Sequence, residues 1–501
     1  MANDGRTVIV IGGGIAGLCA AVYAQQQGYQ AQVLEMHENP GGLATSWRRG
    51  DYTFETCLHW LLGSNPKSPM YAQWRELFDI DQLTFVNPEE YVRFESESGD
   101  VLHVYSKIDR LEQEMLRRAP EDAAQVRHFA STIWSLCRVE LPDPTEGLTG
   151  NWMALLHDVP YFGLLRELSR TSCREYGERF TDPLLRSFFC DGEMSKMSAL
   201  ALFFSLAWTN ENNAGYPIGG SQAVIQGVAR RLTALGGELR LNTKVERILV
   251  HENIATGVQL ESGEILPADW VISAADGHET IYNLLNGNYL DDTLRDIYST
   301  FETFPSYLQI SLGIALDLRQ QPGFLVQLLD TPLQIDPGTE LRQLALRFFH
   351  FDPTFTPAGK TSVTCFLPTR NFDYWVHLQE HSPAAYQAEK DRIAQTVIDH
   401  LERRIPGLRR SLEVIDVSTP ATVIRCTNNW RGSMEGWLMT PATGYRMLPN
   451  TLPGLERFLM AGQWVMPGGG LPAGMMTARH AIRTICKHDR VPFAPPTAKA
   501  A

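Results

Sequence analysis

Residues 8–35, near the start of the chain, read VIVIGGGIAGLCAAVYAQQQGYQAQVLE. This stretch opens on a run of β-branched residues, which is typical of a buried parallel strand. Gly12, Gly14 and Gly17 follow as G-x-G-x-x-G, at the predicted junction of this strand with a helix. In this pattern the first glycine permits a tight turn and the second lets backbone approach a pyrophosphate. The third lets helix and strand pack closely.

The residue that ends the second predicted strand narrows the kind of dinucleotide. Glu35 follows Gly17 at the distance of about 20 residues that such folds use. A carboxylate there accepts hydrogen bonds from the ribose hydroxyls and repels a 2′-phosphate. The N-terminus of the intervening helix offers unpaired N–H groups to the phosphates. The stretch therefore predicts binding of an adenine dinucleotide other than NADP.

Composition places the chain among ordinary globular proteins. The 501 residues are 44% hydrophobic and 20% charged, with a net charge of −13 and no basic block, so nucleic acid is not an expected partner. The first strand begins almost at once, which leaves no room for a signal peptide, and no apolar run reaches the ~18 residues of a membrane span. The eight cysteines are scattered without a C-x-x-C pair. We therefore expect a cytoplasmic protein with reduced thiols and no metal site.

Two later segments repeat the strand, glycine turn and helix signals. The first is residues 216–276, which contain YPIGGSQAVIQGVARRLTALGGELRLNTKVERI and a buried strand WVISAA that we expect to rejoin the first sheet. The second is RFLMAGQWVMPGGGLPAGMMTARHAIRTICK at 457–487. These signals predict an α/β fold in which a Rossmann-type domain is assembled from discontinuous segments. The predicted bounds are 1–65, 215–290 and 455–490 for the nucleotide domain, 66–214 and 291–454 for an inserted α+β substrate domain, and 491–501 for a disordered tail.

Further motifs carry a family resemblance that covers nearly the whole chain. They are YTFETCLHWLLG at 52–63 and TPATVIRCTNNWRGSMEGW at 419–437, in order with the segments above. Together they resemble the FAD-dependent family of phytoene desaturases, carotenoid isomerases and retinol saturases. The resemblance implies an FAD-binding domain of the glutathione-reductase/amine-oxidase class. It also implies desaturation, saturation or cis–trans isomerisation of a long apolar substrate of isoprenoid, carotenoid or retinoid type.

The same resemblance assigns residues to FAD. The glycines would face its pyrophosphate, Glu35 its ribose, Val245 its adenine, and the segment Met466–Gly470 its flavin end. From the residues alone, PGGG before a helix also makes an N–H-rich end that suits a pyrophosphate or a flavin edge. The full set is Gly12, Gly14, Ile15, Ala16, Gly17, Glu35, Met36, Gly41, Gly42, Leu43, Val245, Ala274, Gly462, Met466, Gly469 and Gly470.

Candidate catalytic residues stand where the chain departs from the family pattern or borders the expected flavin. His59 is either a proton donor near neutral pH or a histidine satisfied by backbone hydrogen bonds. Glu435 replaces a more usual aromatic and is either a buried general acid or a solvent-facing carboxylate, with Arg431 as a possible ion-pair partner. Cys57 replaces a small glycine and either modulates the flavin or is a plain buried thiol. The departures suggest a substrate other than a standard carotene.

Apolar segments suggest a path for the substrate. Residues 152–165 and 198–210 fit a tunnel wall, a peripheral membrane patch through which a lipid enters, or plain core helices. The electron partner is open: oxygen, a quinone, an external reductant, or none in an isomerisation. No second G-x-G-x-x-G of similar quality is present, so a two-nucleotide reductase is not expected.

Two other functions stay open. A flavin amine oxidase, which acts on a smaller substrate, would be expected to carry arginine after the second glycine pair, where this chain has Leu43. A non-catalytic prenyl or lipid carrier related to Rab GDP-dissociation inhibitors would not need an intact nucleotide site. The glycines and Glu35 of this chain favour an enzyme over a carrier.

Overall fold

The computed structural model of the protein describes residues 5–56, 58–140, 147–190, 192–444 and 446–496, with side chains omitted at 147–151 and 155. Its strands, in chain order, are β1 (Thr7–Ile11), β2 (Gln30–Leu34), β3 (Ser46–Arg49), β4 (Tyr52–Glu55), β5 (Leu61–Leu62), β6 (Phe85–Val86), β7 (Glu90–Glu95), β8 (Val101–Tyr105), β9 (Ala214–Pro217), β10 (Glu238–Arg240), β11 (Val245–His251), β12 (Ile254–Leu260), β13 (Ile265–Pro267), β14 (Trp270–Ser273), β15 (Ser306–Ile314), β16 (Phe324–Asp336), β17 (Thr339–Phe348), β18 (Thr361–Thr369), β19 (Leu412–Ser418) and β20 (Phe458–Met460). Its α-helices are α1 (Ile15–Gln26), α2 (Pro69–Leu77), α3 (Ile108–Arg118), α4 (Ala123–Leu136), α5 (Gly147–Asp158), α6 (Phe162–Arg170), α7 (Cys173–Gly177), α8 (Pro183–Cys190), α9 (Ala199–Asn210), α10 (Gly220–Ala234), α11 (Asp292–Thr300), α12 (Phe372–His381), α13 (Pro383–Arg404), α14 (Pro420–Thr427) and α15 (Gly470–Asp489).

A five-stranded parallel sheet organises the nucleotide end of the molecule. Its strand order is β10-β2-β1-β14-β20, so strands from three separated stretches of chain pair side by side. The expectation that WVISAA rejoins the first sheet is confirmed, because β14 pairs with β1. The β-branched residues of β1 are almost fully buried, as a central parallel strand requires. This order brings the N-termini of α1 and α15 to the carboxyl edge of the sheet, where dinucleotides bind in such folds.

A seven-stranded mixed sheet forms the floor of the other half. Its order is β19-β15-β18-β17-β16-β7-β8. One face packs its aliphatic residues against α12, α13 and α14 in a continuous core. Because side chains alternate between the faces of a strand, alternate residues of β17 point the other way, and Leu341, Gln343, Ala345 and Arg347 line a large cavity.

The two apolar segments have different fates. Residues 198–210 form α9, which is buried and contributes one wall of the large cavity. Residues 152–165 form the end of α5, a 3-10 turn and part of α6, and they leave Trp152, Met153 and Leu156 exposed at 56%, 66% and 62%. The plain-core reading is therefore wrong for these three side chains. Among the described helices, none combines the length and the apolar character needed to cross a membrane.

The described part of the C-terminal tail differs from the prediction of disorder for 491–501. Residues 491–496 lack regular secondary structure but pack on α1 and α15. The ring of Phe493 lies 5.9 Å from that of Tyr23, and the next N–H donates to the side chain of Gln27 at 2.8 Å. Val491 and Phe493 thus pack against the core of the nucleotide end, a contact that composition alone does not reveal. The last five residues lie outside the described chain. The bounds expected for the nucleotide domain and the substrate domain stay a prediction.

Candidate active site

A narrow channel of about 180 Å³ runs along the carboxyl edge of the parallel sheet. Its first wall is the glycine turn between β1 and α1. Gly12 takes a positive φ of 97°, and its N–H donates to the carbonyl of Leu34 at 2.8 Å. A Cβ at Gly17 would lie 1.9 Å from the carbonyl oxygen of Gly12. Gly17 therefore permits close helix–strand packing and does not itself line the channel.

Glu35 and the start of α1 supply the polar groups of this channel. The buried Glu35 carboxylate accepts hydrogen bonds from the N–H groups of Gly13, at 2.6 Å, and His37, at 2.8 Å. The first-turn N–H groups of α1 have no intrahelical acceptors and are available to an anion. Among the described atoms, a Cβ at Gly14 would meet only the carbonyl oxygen of Gly41, at 3.8 Å, so this glycine leaves room for a ligand against bare backbone.

The opposite end of the channel is built by the loop before α15. Gly468, Gly469 and Gly470 take positive φ values of 91°, 57° and 79°, a run that residues with side chains adopt only with strain. A Cβ at Gly469 would lie 2.5 Å from the carbonyl oxygen of Glu435. The loop can therefore lie flat against Glu435 and present the N-terminus of α15 to the channel.

Most of the cofactor residues expected from the sequence meet at these walls. Met466 and Gly469 line the larger cavity, and Gly17 lies behind the turn. The others line the channel: Gly12, Gly14, Ile15, Ala16, Glu35, Met36, Gly41, Gly42, Leu43, Val245, Ala274, Gly462 and Gly470.

A much larger cavity, of about 2220 Å³, adjoins the channel. It lies between the seven-stranded sheet and helices that include α9, and its wall is rich in aromatic and aliphatic side chains. The channel and the cavity meet at a junction formed by five residues that line both, namely Leu43, Met434, Glu435, Gly470 and Leu471. A ligand that fills the channel and reaches this junction therefore faces the apolar cavity.

Glu435 lies half-buried at the junction, where it lines both the channel and the cavity. Burial raises the pKa of Glu435 to about 7. Its Oε1 approaches Gly470, and no hydrogen bond or ion pair reaches the carboxyl group from the residues that the structure describes. The predicted partner is wrong: Arg431 is exposed, takes a φ of 58°, and stacks its guanidinium 4.2 Å from the ring centre of Trp430. Arg431 lines neither the channel nor the cavity.

His59 lines the cavity but fits neither expectation made for it. Burial, and secondly the charge of Arg347, lower the pKa of His59 well below its usual value, so the ring is neutral at pH 7. This shift is opposite to that of a proton donor near neutral pH. The buried Nε2 also lacks a hydrogen-bond partner within the described chain, so the backbone-satisfied alternative fails for this atom. Cys57 lies outside the described residues, and its role stays a prediction.

Two site residues were missed from the sequence. Asp276 lines the channel and accepts hydrogen bonds from the N–H groups of Glu279 and Trp430, both at 2.8 Å, while burial raises its pKa to about 7. Asn429 also lines the channel, and its Oδ1 accepts from Gln463 and Trp464 at 3.2 Å. The position of Asp276 just after a central strand could have identified it as a site residue, because ligands bind at the carboxyl edge of a parallel sheet.

The glycine turn, the acidic residue after the second strand and the second N–H-rich helix end define a Rossmann-type flavoprotein. Their glycine cradle and free N–H groups fit the pyrophosphate of FAD, and the buried Glu35 fits its ribose. The chain belongs to the family described as flavin containing amine oxidoreductase, whose model matches residues 15–486. The cofactor expectation is confirmed: the protein is an FAD-dependent enzyme.

Curated relatives and a solved structure agree with this class. A phytoene desaturase (neurosporene-forming) of Cereibacter sphaeroides is 25% identical over 94% of this chain and 93% of its own length. A chloroplastic prolycopene isomerase 1 of an Oncidium hybrid cultivar is 25% identical over 97% of this chain and 85% of its own length. An oxidoreductase from Methanosarcina mazei has a similar fold, with a TM-score of 0.61 at 14% identity over 95% of this chain and all of that chain. The expected fold class and family resemblance are confirmed.

Proposed function

We propose that this flavoenzyme alters carbon–carbon double bonds of a long apolar isoprenoid-type substrate by desaturation, saturation or cis–trans isomerisation. The observation that carries the proposal is the 2220 Å³ apolar cavity, which meets the FAD channel at the junction. When bound, FAD supplies the capacity to accept or give a hydride at its ring. The names of the two curated relatives, a phytoene desaturase and a prolycopene isomerase, support this reaction class.

The residues of the chain supply positioning and proton transfer. The apolar walls hold the chain of the substrate and exclude water. Leu43 adds an apolar side chain to the junction, at the position where the amine-oxidase alternative expected arginine. The carboxyl group of Glu435 gives or takes a proton at its oxygen, for which a pKa of about 7 is well matched. The residues that hold FAD are those that line the channel.

The exposed apolar surface on α5, the following turn and α6 supports a further proposal of peripheral membrane contact. It consists of Trp152, Met153, Leu156, Val159 and Phe162, each at least 46% exposed. Exposed large apolar side chains that recur over successive turns in this way are typical of an interaction site. Ala154 and Leu165, from the same helices, line the large cavity. The patch therefore borders a route by which a lipid-dissolved substrate enters.

The function is tested by product analysis. The FAD-loaded protein is incubated with a panel of carotenes and retinoids, with and without a reductant, and the products are separated and weighed by mass spectrometry. Loss of two hydrogens from one polyene identifies a desaturase, gain of two hydrogens from reduced enzyme a saturase, and an isomer of unchanged mass an isomerase. A panel that yields no product with oxidised or reduced enzyme, while a small amine is oxidised, overturns the proposal in favour of an amine oxidase.

A further inference from the structure

A half-buried arginine stands on the cavity face of β17. Arg347 lines the large cavity, and its guanidinium carbon lies 4.2 Å from the ring centre of Phe324 on the neighbouring strand. Burial lowers the pKa of Arg347 to about 10, so the group is still a cation at neutral pH. An apolar hydrocarbon would give this cation nothing to bind.

In the described part of the chain Arg347 forms no ion pair, and the Glu55 carboxylate acts on its charge only from a distance. Its Nε is buried without a hydrogen-bond partner among these residues. The nearby buried carboxylate, Glu55, instead accepts from the N–H of Ser221 at 2.8 Å and from its hydroxyl at 2.6 Å. The half-buried Arg118, by contrast, forms an ion pair with Asp182 at 2.9 Å. A buried charge without a partner is costly, and an anionic ligand group removes that cost.

His59 adds a second unsatisfied polar group beside the same ring. The ring centres of His59 and Phe324 lie 6.4 Å apart, so Phe324 has the guanidinium on it and the imidazole next to it. The His59 Nε2 is buried and lacks a partner among the described residues. A neutral imidazole can donate one N–H to an oxygen. Arg347 supplies one positive charge and His59 one neutral donor. Together they match the single negative charge of a carboxylate better than the higher charge of a diphosphate.

We propose that the large cavity binds a long apolar chain that ends in a carboxylate, with the carboxylate held by Arg347 and His59. The guanidinium fork suits a carboxylate because it can make two parallel hydrogen bonds to the two oxygens. A fatty acid and a polyene acid share this chemistry. The inference rests on the proposed function, because it names the substrate class of the same cavity.

A row of rings connects the proposed carboxylate site with the junction. The ring of Phe366 lies 6.0 Å from that of His59 and 5.2 Å from that of Tyr307. The carbonyl two residues before Tyr307 accepts from the N–H of Met434 at 3.2 Å, and Met434 precedes Glu435. A chain anchored at Arg347 therefore extends along these rings and presents an internal carbon–carbon bond, not its acid end, to the junction.

The test compares acids with the matching alcohols on the FAD-loaded protein by isothermal titration calorimetry. The pairs are retinoic acid with retinol, for a polyene, and oleic acid with oleyl alcohol, for a fatty chain. We expect at least one acid to bind about 10- to 100-fold more tightly than its alcohol, as a charge-assisted hydrogen bond predicts. A preference for retinoic acid identifies the ligand as a polyene acid, and a preference for oleic acid identifies it as a fatty acid.

Two variants distinguish binding of the carboxylate at Arg347 from binding at the exposed mouth of the cavity, where Arg342 lies. Arg347→Gln should remove the acid preference and leave alcohol affinity within about twofold. Arg342→Gln, an exposed residue of the same strand that also lines the cavity, should keep the preference. If Arg347→Gln fails to fold, the wild-type comparison and Arg347→Lys, which keeps the charge, still test the inference.

Equal affinities of acid and alcohol for the wild-type protein would overturn the inference. Loss of the preference in Arg342→Gln but not in Arg347→Gln would also overturn it, because the carboxylate would then bind at the mouth. These outcomes are distinct from failure of the proposed function. A protein that converts a hydrocarbon polyene without preferring acids overturns only the carboxylate site. Preferential acid binding with no product from any unsaturated chain overturns only the reaction.

Discussion

Glu435 stands at the meeting point of the FAD channel and the apolar cavity, with burial raising its pKa to about 7. Replacing the carboxyl group by an amide keeps the shape of the side chain and removes the proton. We expect Glu435→Gln to retain FAD and to lose about 100-fold or more in kcat, the usual worth of a general acid or base. The control variant is Glu340→Gln. Glu340 is an exposed residue that lines the same cavity, so the variant enzyme should keep the wild-type activity.

The pH–rate profile of the wild-type enzyme should change slope near pH 7. Asp276 in the channel shares this pKa, so the profile of Glu435→Gln is the comparison. A rate that falls above pH 7 in the wild type but not in Glu435→Gln identifies Glu435 as the proton donor, and a rate that rises only in the wild type identifies it as the acceptor. A flat profile between pH 5 and 9, or full activity in Glu435→Gln, would contradict a role in proton transfer.

The same group makes a prediction about stability. The ordinary glutamate pKa of about 4.3 applies to the unfolded chain, and burial raises the folded value to about 7. The folded protein therefore binds the extra proton, and the free energy of unfolding falls as pH rises through this window. From pH 5 to pH 8 the flavin-free wild type should lose about 2 kcal/mol relative to Glu435→Gln, measured by urea unfolding. A difference that is constant with pH would contradict the buried carboxyl.

The expected Glu435–Arg431 pair shows where sequence reasoning stops at this scale. The spacing of four residues brings side chains together only on a helix. Arg431 takes a left-handed backbone conformation in a short 3-10 turn, so its side chain points away to Trp430. The role of Arg347 is harder still to predict, because the sequence around it is typical of an ordinary strand. Such a sequence does not reveal which charges lack partners in the fold.

At the scale of elements, the glycine turn before α1 was predictable because its function is set by local backbone. Each glycine of the motif has a steric reason that the spacing already implies. The wall that the seven-stranded sheet gives to the large cavity was not predictable from the local sequence in this way. It arises where β15, β16, β17 and β18 pair in an order different from that of the chain, so Phe324, Phe366 and Tyr307 become neighbours only in the sheet.

Two substitutions in this turn should have different effects. Gly17→Ala places a methyl group 1.9 Å from the carbonyl oxygen of Gly12, so the helix must move from the strand. We expect a loss of several kcal/mol in the free energy of unfolding and loss of FAD. Gly14→Ala meets only an atom at 3.8 Å and has a negative φ. It should fold normally but retain less FAD after gel filtration, because its methyl group enters the pyrophosphate space.

Gly163→Ala is the control for this pair, since Gly163 lies in α6 and no described atom lies within 4 Å of where its Cβ would be. It should be as stable as the wild type or slightly more so. Full FAD retention by Gly14→Ala would remove this glycine from the pyrophosphate site.

At the scale of the whole molecule, the exposed apolar patch and the cavity share α5 and α6. If the patch is the membrane contact, Trp152→Glu combined with Leu156→Glu should reduce sedimentation with liposomes about tenfold or more. FAD content and folding should not change, because both side chains are exposed. Ile415→Glu, another exposed apolar residue on β19, is the matched control and should bind liposomes like the wild type. Equal binding of all three proteins would contradict the assignment.

In the proposed enzyme, FAD and a long apolar chain meet at the junction around Glu435. The most direct test is the visible spectrum of the desalted FAD-loaded protein during anaerobic titration with a polyene. Tryptophan fluorescence is followed in parallel as an independent measure of binding. We expect a saturable change in the flavin band that follows the same binding curve as the fluorescence. A polyene that binds by fluorescence and leaves the flavin band unchanged would contradict this arrangement, because ligand and flavin would then occupy separate sites.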